Sequence, residues 1–356
     1  MYFYLIAYPL KKMAANRKKQ IVPPYYAILK TNICFDKIIC QKSENYLKTI
    51  ISHSFYYYWT EIMLQCRKIP HWDTSIHAFH SLAWLSQRIP QKSHCYTQVG
   101  NKYSSCFYEM REVLDIMSLK YPPHFMGVFL YMGIYSDNYK EAILYGGTAA
   151  ASNHHTLPIL FHNSFQFTIQ NSPAVDFVVL SSNVNHENGY IVDLLKQICI
   201  VLCLQKNKGT MIFKIKSIFH SLTIDVLYLL CGMYDKVFMT KPTCTNPCEL
   251  SRYVVCKGFR RPKKKESLMS TFQTLYLKLT NCLPHEYIER IFSEPIPLFF
   301  LNKIEELNSI FGQPCLEHVH NVLINHRDTK YDKIKSDLMK CQEWCSRHRV
   351  SPYLQS

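Results

Sequence analysis

Three groupings of residues in this chain could do chemistry. Lys214 closes the apolar run Met211-Ile212-Phe213, so a strand there would carry an ammonium to its carboxyl end. Such a group can take part in proton transfer or sit unused in solvent. Cys341, Cys345 and His348 would share one face of a helix, Cys244, Cys248 and Cys256 gather in a loop and the strand after it, and His318, His320 and His326 recur at close spacing. Zinc takes four ligands and none of these sets offers a convincing fourth, so no metal site is expected. The pair His285-Glu286 lacks the second histidine of a zinc-protease helix. The third grouping is cationic: Lys257, Arg260, Arg261, Lys263, Lys264 and Lys265 lie within nine residues. They suit phosphate contacts, which add affinity without sequence choice, and suit a solvated linker equally well.

Composition narrows the possibilities. The 356 residues are 48% hydrophobic and 14% aromatic, which excludes wholesale disorder, and the formal charge of +15 draws the chain to polyanions such as nucleic acid. No apolar run reaches the roughly 18 residues needed to span a bilayer, so no membrane partner is expected. Fifteen scattered cysteines, an odd number, read as small buried hydrophobes of a reducing compartment. The apolar start Met1 to Leu10 precedes Lys11-Lys12 instead of following them, unlike a signal peptide, and Met13 could equally be the start. A cytoplasmic or nuclear protein is expected.

The elements that must position these groups follow from periodicity. Residues 1–94 form a basic, aromatic-rich extension that includes Phe55-Tyr56-Tyr57-Tyr58-Trp59. Phe107, Met110, Val113, Leu114 and Met117 predict a helix over 103–119, stopped by Pro122-Pro123. Strands are expected at 125–131, 142–145, 165–169, 175–180, 210–215, 237–240 and 253–257. Helices are expected at about 190–204 and 222–234, and a turn at 206–209. Seven strands with interleaved helices, ending on a hairpin-like pair, predict a three-layer α/β fold over residues 95–265. Residues 266–356 are expected to be helical.

Three segments carry a family resemblance. The run Lys208-Gly-Thr-Met-Ile-Phe-Lys214 with its following helix, the run Tyr234-Asp-Lys-Val-Phe-Met-Thr-Lys-Pro-Thr-Cys244, and Arg252-Tyr-Val-Val-Cys-Lys257 resemble the C-terminal half of an FtsJ/RrmJ-type ribose 2′-O-methyltransferase. The likeness is above all to cap-specific mRNA 2′-O-methyltransferases of animals and large DNA viruses. It implies a Rossmann-like fold that binds S-adenosylmethionine, capped mRNA as substrate, and a Lys-Asp-Lys-Glu tetrad. A ribose 2′-hydroxyl is a poor nucleophile, so the family poises a lysine among carboxylates to handle its proton.

Carried over by position, the tetrad is altered at three of its four places. Lys214 matches the catalytic lysine. Glu109 stands where the first lysine belongs, Ser182 at the aspartate after its strand, and Ser251 at the final glutamate, with Glu249 two residues earlier as a substitute. The cofactor loop departs too. The family's acidic residue and Ala-Pro-Gly-Gly become Tyr131-Met132-Gly133-Ile134-Tyr135, and the pair Gly146-Gly147 comes later, beyond Tyr145. The resemblance therefore implies cofactor contacts at Tyr131, Gly133, Tyr145, Gly146 and Ser181. It places Lys241 and Arg252 beside a substrate-facing loop, with Arg260, Arg261, Lys263, Lys264 and Lys265 near the rim as further RNA contacts.

The resulting expectation is a degenerate family member that acts by binding RNA or a partner capping enzyme. The alternatives are an active cap 2′-O-methyltransferase using Lys214, and a non-enzymatic nucleic-acid-binding scaffold.

Overall fold

The structure is a computed structural model that describes residues 25–43, 48–69, 105–119, 127–133, 135–145, 154–157, 165–262, 265–282, 286–325 and 331–350. Its N-terminal part contains β1 (Tyr26–Ile28), β2 (Ile38–Ser43) and α1 (His53–Cys66). Next come α2 (Ser105–Ile116), β3 (Phe129–Met132), α3 (Ser136–Tyr145), β4 (His154–Leu157), α4 (Phe165–Asn171) and β5 (Val175–Leu180). Then follow α5 (Glu187–Leu204), β6 (Gln205–Ile215), α6 (Ser221–Met233), β7 (Tyr234–Thr240) and β8 (Arg252–Phe259). The chain continues through α7 (Lys265–Thr280), β9 (Tyr287–Phe292), α8 (Leu298–Asn325) and α9 (Tyr331–His348).

The sheet is seven-stranded and mixed, in the order β1-β7-β8-β6-β5-β3-β4. Strands β4, β3, β5 and β6 are parallel, and β8 runs antiparallel between β6 and β7. This is the expected Rossmann-like α/β fold, closed by the expected antiparallel pair. Strand β5 (Val-Asp-Phe-Val-Val-Leu) is almost wholly buried, as a strand covered on both faces must be. Alternation sends Met211 and Phe213 of β6 to one face, against α5, α6 and α7, and Ile212 to the other. The second face packs against α2, α3 and the end of α9.

Several elements differ from the expectation. Residues 142–145 are the last turn of α3: Tyr139, Ala142 and Ile143 are buried at helical spacing after Ser136-Asp137, which open the helix. Residues 165–169 are α4, although Phe165, Phe167 and Ile169 alternate as in a strand. The seven strands are completed by β1 and β4, both short, and a further strand, β9, pairs with β2 inside the expected helical tail. The turn at 206–209 is a distortion within β6. There Val175 pairs with Gln205 but Phe177 with Thr210, and Lys208 takes a φ of 68°. No helix among the described residues is long and apolar enough to cross a membrane.

The sulfur and histidine groups have structural roles. Cys341 and Cys345 are buried with Trp344 against α2, and the His348 Nδ1 meets Asp115 Oδ2 at 2.7 Å. Cys244, Cys248 and Cys256 are buried apart, in three different apolar clusters, and His320 meets the Tyr58 hydroxyl at 2.6 Å. His285 and His326 lie outside the described residues.

Candidate functional site

The carboxyl ends of β3, β5 and β6 bring together Gly133, Ser181, Ser182 and Lys214, while the loop from β7 to β8 carries Lys241 and Glu249 to the same end. In such sheets this is where ligands bind. The alternation that buries Met211 and Phe213 on one face points Lys214 to the face covered by α2. There its Nζ lies 2.9 Å from Glu109 Oε2 and 3.2 Å from Glu109 Oε1. Tyr253, the residue paired with Lys214 across β6 and β8, donates its hydroxyl to Glu109 Oε2 at 2.8 Å. The Tyr190 hydroxyl donates to the Lys214 carbonyl at 2.8 Å.

This ion pair is nearly enclosed: the Glu109 side chain is 3% exposed and that of Lys214 21%. Burial alone would lower the Lys214 pKa, yet the Glu109 carboxylate, followed by Glu249, outweighs it and holds the ammonium above the ordinary lysine range. Burial also raises the neighbouring phenols of Tyr139, Tyr190 and Tyr253, which stay protonated. These three tyrosines gave no signal in the sequence beyond general aromaticity.

Glu249 is exposed and oriented by two donors, Asn246 Nδ2 at 3.2 Å and the Ser251 hydroxyl at 2.9 Å. Ser251 therefore supports Glu249. Ser182 accepts from the Val184 amide at 3.3 Å and hydrogen-bonds Asp193, whose carboxyl is raised mainly by burial. The cap of α5 is His186: its Nδ1 accepts from Gly189 N at 3.0 Å.

The expected cofactor contacts are largely turned to other uses. The Tyr131 side chain is fully buried in the core and its hydroxyl meets His154 Nδ1 at 2.7 Å. Tyr145 packs half-buried against Phe107. Gly133 has a φ of +100°, and a β-carbon added there would fall 2.0 Å from the Ser181 carbonyl oxygen. The glycine is thus required by the contact between two strand ends. The Ser181 hydroxyl donates to the Met132 carbonyl at 3.0 Å and accepts from the Tyr135 amide at 3.3 Å. Gly146 and Gly147 lie outside the described residues.

The basic residues divide between the two ends of the sheet. The Lys241 Nζ reaches the Glu249 carbonyl and the Cys315 thiol. Arg252, expected to face RNA, is fully buried: it donates to the Leu250 and Leu307 carbonyls and lies over the Phe311 ring at 5.0 Å. Burial pulls its guanidinium down to about 10. Strand β8 runs away from the site, so Arg260 and Arg261 fall at the opposite end of the sheet, roughly 20 Å from Tyr253 along the strand. They do not rim the site. Arg260 donates to the Gly232 carbonyl at 2.7 Å and Arg261 to the Cys203 carbonyl at 3.0 Å, capping the ends of α6 and α5. Lys257 donates to the Met117 carbonyl at 2.7 Å. Lys263 and Lys264 lie outside the described residues, and Lys265 opens α7.

No family model matches the chain. Curated relatives do. The "Cap-specific mRNA (nucleoside-2'-O-)-methyltransferase 1A" of Caenorhabditis briggsae is 27% identical over 143 residues, 40% of this chain and 15% of that protein. The "Inactive cap-specific mRNA (nucleoside-2'-O-)-methyltransferase 1B" of the same worm is 28% identical over 151 residues, 40% of this chain and 16% of that protein. The "Probable methyltransferase EP424R" of African swine fever virus is 27% identical over 120 residues, 32% of this chain and 27% of that protein. The chain thus spans about a sixth of the length of the worm relatives. The expected resemblance holds at that level: over part of its length, and at low identity, this chain is similar to cap-specific mRNA 2′-O-methyltransferases and to that viral protein.

Proposed function

We propose that the chain is a cap 2′-O-methyltransferase-like protein that binds RNA, or a partner enzyme, without transferring methyl groups. The observation that carries this reading is the Lys214–Glu109 ion pair. A lysine that is to take a proton from a ribose hydroxyl needs surroundings that favour its neutral form, such as a second cation. Glu109, standing where the family has that cation, does the opposite. Both carboxylate oxygens of Glu109 hold the Lys214 ammonium, and the Tyr253 hydroxyl fixes the carboxylate in place.

Among the described residues, the ends of β3 and β5 offer S-adenosylmethionine few free polar groups. Gly133 is filled against Ser181, and the Ser181 and Ser136 hydroxyls are spent on the Met132 and Gly133 carbonyls. The described residues directly after β3 and β5 are Gly133, Tyr135, Ser181 and Ser182, none of them a carboxylate; the residues after β4, where such folds place the ribose-binding acid, lie outside the described residues. An RNA-binding role is supported by the formal charge of +15 and by the likeness to enzymes named for mRNA caps.

The test is transfer of labelled methyl groups from S-adenosylmethionine to capped RNA, with Lys214→Ala beside the native protein. The expected result is no transfer by either, with RNA bound and released as salt rises. Transfer that vanishes in Lys214→Ala would overturn the reading.

A further inference from the structure

The Glu112 carboxylate lies one helical turn from Glu109, is 3% exposed, and belongs to no part of the ion pair. Four donors converge on it. Its Oε1 accepts from the Thr243 amide at 2.6 Å. Its Oε2 accepts from the Thr243 hydroxyl at 3.0 Å, the Cys244 amide at 3.2 Å and the Trp344 indole Nε1–H at 2.9 Å. Three donors come from the β7–β8 loop and the fourth from α9. The same helix pair is joined by the Tyr108–Trp344 ring contact and by His348 on Asp115.

From this convergence we infer that Glu112 is the positioning residue for the Lys241–Leu250 loop, and that α9 acts on that loop through the Trp344 indole. A buried carboxylate is kept in place by its donors together, so withdrawing one leaves the charge under-satisfied and freer to turn towards water and away from the rest. Undocking the end of α9 therefore loosens Thr243 and Cys244, and with them Lys241 and Glu249 at the open end of the sheet. By reciprocity, loosening the loop loosens Trp344. The consequence for RNA rests on the function proposed above; the coupling itself does not.

Hydrogen exchange on the full chain tests the coupling without any ligand. Trp344→Phe keeps the ring and removes the donor. The Thr243 and Cys244 amides are expected to exchange about tenfold faster, the loss of one hydrogen bond to a charged group, while β5, β6 and β8 amides keep their rates. Unchanged rates at Thr243 and Cys244, or equal acceleration everywhere, would overturn the inference. Should Trp344→Phe fail to fold, Thr243→Val reads the coupling from the other side. It is expected to shift the indole N–H resonance of Trp344 and of none of the other three tryptophans; an unmoved Trp344 resonance overturns the inference. If the exchange responds as expected while the native protein binds no RNA, the coupling stands and the RNA-binding function falls.

Discussion

At the scale of single residues, one change of sign decides the character of the site. A lysine at position 109 would repel Lys214 and favour its neutral amine, whereas Glu109 binds it. Breaking such a nearly buried pair leaves an uncompensated charge, so Glu109→Gln and Lys214→Met are each expected to destabilise the fold by about 3 kcal/mol. The double variant Glu109→Gln/Lys214→Met, which leaves neither charge behind, is expected to cost less than the sum of the two. Urea unfolding of all four proteins checks this, and strict additivity would mean that the two groups do not interact. Because the folded Lys214 pKa is raised, the pair's contribution is full below the ordinary lysine value and fades only as pH rises through the folded one. The urea comparison at neutral pH therefore sees the whole of it.

At the scale of elements, the two ends of β8 have opposite meanings. Its first residues, with the loop before them, build the site; its last residues run into Arg260 and Arg261, which hold the carbonyls of α6 and α5. Replacing either arginine by alanine is expected to lower stability by about 1 kcal/mol and to leave RNA affinity unchanged. Thermal melts and RNA titrations separate the two effects. A loss of affinity without loss of stability would return these residues to the binding surface. The sequence displayed this cationic cluster, but only strand direction says which end of the sheet it occupies. Long apolar runs such as Val175–Leu180 were legible because burial on both faces leaves no alternative composition. The strand His154–Leu157 was not, because four residues at a sheet edge carry no period. Lys214, Glu109 and Glu249, singled out in the sequence, do come together: Glu109 pairs with Lys214 and Glu249 adds to its field. Tyr253, Tyr139 and Glu112 were missed because their roles arise from pairing across strands and between helices distant in sequence.

At the scale of the whole molecule, stability against acid depends on a group far from Lys214. His154 sits on the edge strand β4, 8% exposed, with its ring stacked on Phe129 at 4.5 Å and its Nδ1 on the Tyr131 hydroxyl. Its Nε2 has no partner among the described residues, and burial, followed by the charges of Lys140 and His155, lowers its pKa to about 4. An unfolded chain would bind this proton near pH 6.5. Between about pH 6.5 and 4 the unfolded state therefore holds more protons than the folded state, and stability falls as pH falls. The full difference amounts to about 3 kcal/mol at one site, a large share of the stability of an ordinary domain. His154→Phe preserves the stack on Phe129 and removes the titration. Its urea midpoint is expected to fall less between pH 7 and pH 4.5 than that of the native protein. Equal falls in the two proteins would mean that His154 takes up its proton in the folded state, with water reaching the layer between β3, β4 and α3.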